Sequence, residues 1–175
     1  MKYIFSLAVF CCCILLATST KAQQDKSKRP SPPAKVSQTI NSGATISIDY
    51  SQPSLKGRTI GTSVEPMKDS VWRMGANEAT VFETDKDVTV QGQKLAAGKY
   101  AMFGRWTDKG YTVIFNTAST IWGTQHWANR DKDILSVPAT VSINNPVQEK
   151  LTYTIDKSGQ VKLLWGNMVV SFNVK

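Results

Sequence analysis

Apolar and polar residues alternate with a period of two through most of the chain. Ile46, Ile48 and Tyr50 alternate with Ser47 and Asp49, and Tyr111, Val113 and Phe115 with Thr112, Ile114 and Asn116. Leu135, Val137, Ala139, Val141 and Ile143 form another apolar face, as do Leu151, Tyr153 and Ile155, and then Val161, Leu163 and Trp165. Such alternation describes strands with one face buried and one wet. Turn signals separate them at Gln91-Gly92, Asp108-Lys109-Gly110, Lys157-Ser158-Gly159 and Gly166-Asn167. No stretch carries a sustained 3.6-residue stripe, and only Thr117 to Asp131 breaks the strand pattern, as a long loop or short helix. Roughly nine short strands with turns every 8–12 residues predict an all-β fold: a single antiparallel β-sandwich, with a barrel as the second choice. Strands near residues 149–156, 160–165 and 168–174 are expected to close it as a meander.

The amino terminus reads differently. Lys2 precedes an apolar run from Tyr3 to Ala17 without acid or base, and Thr20-x-Ala22 offers small residues before Gln23. That order predicts a cleaved export signal over residues 1–22, with the mature chain starting at Gln23 in the periplasm or outside the cell. The apolar run is shorter than the roughly 20 residues that span hydrocarbon, so no transmembrane anchor is expected after cleavage. Phe10 before Cys11 argues against a lipoprotein. Cys11, Cys12 and Cys13 all fall within the signal, which leaves the mature chain without disulfide, thiolate nucleophile or cysteine metal site.

Residues 23–38 contain Lys26, Lys28, Arg29, Pro30, Pro32, Pro33 and Lys35 and predict a disordered leader, because little apolar surface is present to offset ordering entropy. The β-sandwich domain is then expected over residues 39–175. The whole chain carries a net charge of +8 from 21 bases and 13 acids. Signal and leader hold six of those bases and one acid, so the domain is near balance at 15 against 12. A nucleic-acid binder concentrates cations on its folded surface, so no specific nucleic-acid binding is expected. A polysaccharide or another envelope component fits the mild basic excess better.

Candidate chemistry concentrates in Val71-Trp72-Arg73-Met74-Gly75-Ala76-Asn77-Glu78-Ala79-Thr80. Gly75 can adopt φ > 0, Trp72 is expected as a buried anchor, and Asn77 to bond its own backbone. Arg73 and Glu78 either close a structural clasp or converge with Asn77 on a polar ligand at a sheet end. Asn77-Glu78 matches the asparagine–glutamate pair of retaining glycosidases, but those are barrels of about 250 residues with a second, distant carboxylate, and the pattern here does not fit. Lys56-Gly57-Arg58 reads as a solvated turn able to grip an anion.

His126 is the only histidine and lies in the irregular segment between Trp122 and Asp133. Gly-x-Ser-x-Gly does not occur, and one histidine with Asp131 and Asp133 makes a poor zinc set, so neither metal nor cofactor is expected. A hydrogen-bonded loop histidine is the default. Trp122 is expected in the core and Trp127 exposed, as a stacking platform for a sugar ring.

Several stretches together resemble one family: Tyr50 to Arg58, Val71 to Thr80, Asp87 to Val90, Leu95 to Tyr100, Trp122-Gly123 and Leu151 to Tyr153. The family is that of small exported bacterial proteins known as domain of unknown function 2911, and the resemblance spans about residues 44–174. It implies an exported all-β domain and supplies no reaction. Gln52, Glu65 to Lys68 and Gly104-Arg105-Trp106 depart from the family pattern, which would alter any specificity that runs through them. Asp69-Ser70-Val71 resembles the aspartate-serine-apolar acceptor for O-glycosylation of exported bacterial proteins. The expected function is a non-catalytic binding or envelope-interaction domain for a glycan or peptide, contacted by Arg73, Asn77, Glu78, His126 and Trp127. The alternative is a small hydrolase using Glu78 with Arg73, or His126 with an acid.

Overall fold

The computed structural model describes residues 25–175. The expected export signal and its three cysteines lie outside the described residues. Twelve strands run β1 (Pro33–Thr39), β2 (Thr45–Ser51), β3 (Val71–Trp72), β4 (Thr80–Thr84), β5 (Val88–Val90), β6 (Gln93–Leu95), β7 (Gly98–Thr107), β8 (Gly110–Asn116), β9 (Asp133–Ser142), β10 (Gln148–Ile155), β11 (Gln160–Gly166) and β12 (Met168–Asn173). No helix among the described residues is long and apolar enough to cross a membrane.

One large antiparallel sheet has the order β1-β2-β4-β7-β8-β9-β12-β11-β10, with the short β3 also on β7. β9 joins its two halves. Residues up to Ala139 pair with β8, and Thr140, Val141 and Ser142 pair with β12. The sheet folds over on itself and nearly closes, because the chain just after β2 reaches the start of β10: Leu55 N donates to Glu149 O at 2.9 Å and Leu151 N to Pro53 O at 3.0 Å. The expected sandwich is thus one continuous sheet bent over its core. The predicted meander is present as β10, β11 and β12. β5 and β6 form a separate hairpin whose turn places Gln91 and Gly92 at φ 49° and 82°, as the Gln-Gly signal predicts.

Inward positions are those the alternation marks. Ile46, Ile48, Val113, Phe115, Leu151, Val161 and Trp165 are fully buried. Phe115 meets Phe82 edge-on at 5.3 Å and Phe172 at 6.2 Å, linking the two halves. Tyr100 to Gly104 of β7 are buried on both faces. The second face is covered by the irregular segment after β8, where Ala79, Ala101, Phe103 and Ile114 form a smaller cluster against Ile121. The segment expected as a loop or short helix folds into two 3-10 turns, Gly123–Gln125 and Trp127–Lys132.

The boundary expected at residue 39 falls earlier. β1 begins at Pro33 and pairs with β2 along its whole length, and Lys26–Lys28 forms a 3-10 turn. The described part of the expected leader, from Asp25 onward, therefore lies on the domain. Alternating Ala34 and Val36 against the core, together with ion pairs made by its cations, offset the ordering cost that composition alone suggested.

Candidate functional site

The Val71–Thr80 block is a knot of loops beside β7, with Trp72 and Met74 turned into the main core. Val71 and Trp72 pair with Arg105 and Gly104. Trp72 is 4% exposed and its Nε1 donates to Gly75 O at 3.1 Å, so it is the buried anchor that was expected. The left-handed residues are Met74 (φ 52°) and Asn77 (φ 58°), not Gly75. Met74 is held there because its carbonyl accepts from Tyr153 Oη at 2.7 Å and Thr80 Oγ1 at 3.1 Å. Gly75 is needed for closeness: an added Cβ would stand 2.8 Å from Thr80 Oγ1 and 3.2 Å from Ser51 O.

The Arg73–Glu78 clasp does not form. Two left-handed residues between them turn the chain twice, and the side chains end in separate cavities. Glu78 instead receives Arg29 Nη1 on both carboxylate oxygens at 3.0 Å and Lys26 Nζ at 2.9 Å. Asn77 does not bond its own backbone; its Nδ2 donates to Ser31 O at 3.0 Å. The segment before β1 is thereby strapped over a cavity of about 340 Å³ that also meets Asp49, Tyr50 and Thr120. Burial alone would raise the Glu78 pKa, but hydrogen bonds from Lys26 and Arg29 overcome it and hold the carboxyl at about 2.

A pH dependence follows with a definite sign. Glu78 titrates at about 2 in the folded chain against an ordinary 4.5, so the strap's contribution is full above 4.5 and lost as pH falls through 2. The carboxylate is part-exposed, so each pair contributes below about 1 kcal/mol and the domain itself stays folded. Limited proteolysis at the bonds around Lys26 and Arg29 should accelerate between pH 4.5 and pH 2 with an acid-active protease. Glu78→Gln should be cut fast at both pH values. Equal cleavage of both proteins throughout would show that the ion pairs do not hold the strap.

Arg73 runs the other way. Its stem lies beneath Gly123, where an added Cβ would be 1.9 Å from Arg73 Cδ. Its Nε is buried with no hydrogen-bond partner among the described residues, and burial lowers the guanidinium pKa while the charge of Glu65 opposes that shift. Arg73 lines a cavity of about 310 Å³ together with Arg58, Glu65, Trp72 and Trp165. Arg58 donates from Nε to Leu55 O at 2.9 Å and from Nη2 to Ser54 O at 2.7 Å, which fixes its guanidinium at the rim. Glu65 accepts from Met67 N and Ser70 Oγ. Tyr111 Oη, the other buried side-chain polar atom without a partner among the described residues, has its pKa pushed up by burial and then by Glu65.

His126 and Trp127 occupy a third side. His126 is a hydrogen-bonded loop histidine: Nε2 lies 3.0 Å from Asp133 Oδ2, and the ring packs on Phe103 at 4.5 Å. Asn116 Nδ2 also donates to Asp133 Oδ1 at 2.7 Å. Trp127 is 73% exposed, as expected. Trp122 is not in the core but 44% exposed, because the loop meets the block through backbone: Gly123 N donates to Asn77 O at 3.0 Å and Ala79 N to Ile121 O at 3.1 Å. His126 and Trp127 share a hollow of about 470 Å³ with Asp69, Arg105 and Thr124. The two regions singled out in the sequence are therefore stitched together, yet Arg73, Glu78 and His126 face three different cavities. Among the described residues, no group of three or more His, Cys, Asp or Glu side chains is placed to hold a metal ion.

Sequence reasoning missed Lys26 and Arg29, which looked like solvated leader cations, and gave Glu65 no role. The only available signal was a basic cluster in a chain whose central block carries one acid. No curated protein and no solved structure matches the chain. The family described as "Protein of unknown function (DUF2911)" matches residues 31–174, a span that includes the whole sheet from β1 to β12, and the chain belongs to that family.

Proposed function

We propose that the chain is exported and acts as a non-catalytic binding domain, with Arg73 and Arg58 receiving the carboxylate of a polar envelope ligand such as an acidic sugar or a peptide. The observation that carries this is Arg73, whose buried Nε has no acceptor among the described residues and which lines a cavity together with a second arginine, Arg58, and with Glu65. An unsatisfied buried donor costs about 1–3 kcal/mol, and more when charged, so a purely structural arginine would be expected to find an acceptor. A carboxylate supplies charge-assisted, bidentate acceptors for such a fork. The cavity also joins two stretches of family resemblance, Pro53 and Arg58 from the first and Trp72, Arg73, Gly75 and Ala76 from the second.

The same geometry weighs against proton-transfer chemistry by the sequence candidates. A carboxyl held at about 2 is a weak base and is never an acid near neutrality. Glu78 and Arg73 open into different cavities, and the acid beside His126 is Asp133, which also accepts from Asn116.

Arg73→Met tests the proposal, because it keeps the stem packed on Gly123 and removes only the charged fork. In wild type, glucuronate or succinate should raise the melting temperature saturably, by the equivalent of about 2.7 kcal/mol at a hundred times Kd. Arg73→Met should lose that response while being as stable as wild type, or more so, without ligand. A variant that responds like wild type, or a wild type that responds to neither anion, would sink the proposal.

A further inference from the structure

We infer that the hollow between Trp127 and β7 is a second, separate site that binds a neutral pyranose ring, with Trp127 as its stacking platform. Among the described residues, Trp127 is the most exposed of the large apolar side chains, at 73%. It is also firmly held. Arg130 stacks on the indole at 3.8 Å, and its Nη1 donates to Trp127 O at 2.8 Å. The turn that carries both is anchored to the sheet, since Asn116 Nδ2 donates to Asn129 O and Asp133 Oδ1, each at 2.7 Å. His126, immediately before Trp127, is pinned by Asp133 and Phe103. An indole fixed in this way loses little conformational freedom when a ligand stacks on it.

Arg130 lines the hollow on one side of Trp127, with Asp131 and Asp133. A second hollow also meets Trp127, is not lined by Arg130, and is bounded by Asp69, Arg105, Thr124 and His126. Its volume of about 470 Å³ lies within the range of small-molecule sites, about 300–1,000 Å³. Asp69 and Arg105 are exposed and form no ion pair with each other or with another described residue, Asp69 acting only through its charge on the adjacent Lys68, so both heads stay available. Asp69 is held in position by its amide, which donates to Trp106 O at 2.7 Å.

This combination matches a pyranose. Its C–H face is apolar and packs on an aromatic ring, while its rim hydroxyls both donate and accept. Asp69 accepts, Arg105 donates, and Thr124 does either. A nucleic-acid strand also stacks on aromatics, but its phosphates would meet Asp69, Asp131 and Asp133 around the same indole. A neutral sugar encounters no such repulsion.

Affinity electrophoresis in native gels containing dextran, galactomannan or xylan tests the inference, with wild type, Trp127→Ala and Arg130→Ala compared. Wild type should be retarded by at least one polysaccharide, and Trp127→Ala should weaken that retardation at least tenfold. Arg130→Ala should weaken it less, because the platform loses its support and keeps its surface. Denaturant midpoints near wild type would confirm that both variants are folded. Trp127→Ala retarded as strongly as wild type overturns the inference. So does a wild type that none of the three retards, or one that binds oligo-dT through Trp127 and no polysaccharide. Arg73→Met should be retarded like wild type, which separates this site from the anion cavity.

Discussion

Trp72→Ala is expected to destabilise the domain by about 3–5 kcal/mol, while Trp127→Ala leaves it within about 1 kcal/mol of wild type. The contrast rests on location, since the two substitutions remove the same atoms. Trp72 is 4% exposed and packs in the main core. Its loss opens a cavity against β7 and leaves Gly75 O without the indole donor 3.1 Å away. Trp127 gives up only its stack with Arg130. Typical domains have about 5–15 kcal/mol in total, so Trp72→Ala removes a large fraction of it. Urea midpoints for the two variants settle the matter, and equal midpoints would refute the assignment of Trp72 as the anchor.

Gly123→Ala should destabilise by about 1–3 kcal/mol through overpacking. The added methyl would lie 1.9 Å from Arg73 Cδ and 2.8 Å from its Cβ and Cγ, all in the middle of the side chain rather than at its flexible end. The loop cannot simply lift, because Gly123 N donates to Asn77 O and the neighbouring Trp122 bridges to Glu78. Arg73→Ala in the same chain makes room, so the double variant should recover much of the loss, with a coupling of about 0.5–3 kcal/mol. Strictly additive losses in urea titrations of the two single variants and the double would mean that the contact is not what makes Gly123 necessary.

Strands were legible wherever alternation was long and turns carried glycine, as at β2, β8 and the closing meander. The buried Trp72 and the exposed Trp127 were legible for a similar local reason, one lying beside a strand and the other in the irregular segment. What failed was non-local. Arg29 reaches a carboxylate 49 positions away, and nothing in a proline-rich basic stretch signals such a partner. Arg73 and Glu78 are close in sequence, but the conformations of Met74 and Asn77 decide that they face apart, and a methionine gives no hint of φ > 0. Trp122 is expected in the core, whereas the tight contact there is made by the glycine beside it. Residues of the candidate site were thus findable, and their grouping into three cavities was not.

β9 has a consequence for how the domain comes apart. Because one strand is hydrogen-bonded to β8 along its first part and to β12 along its last, neither half of the sheet has a seam along which it can detach. The pairing of residues 53–55 with 149–151 closes the other side across nearly a hundred positions. Melting should therefore be all-or-none, and assembly slow, since distant segments must meet before either half is complete. The same fastening gives the loop knot beside β7 a rigid base, so that opening at the candidate sites is confined to the strap rather than shared by the sheet.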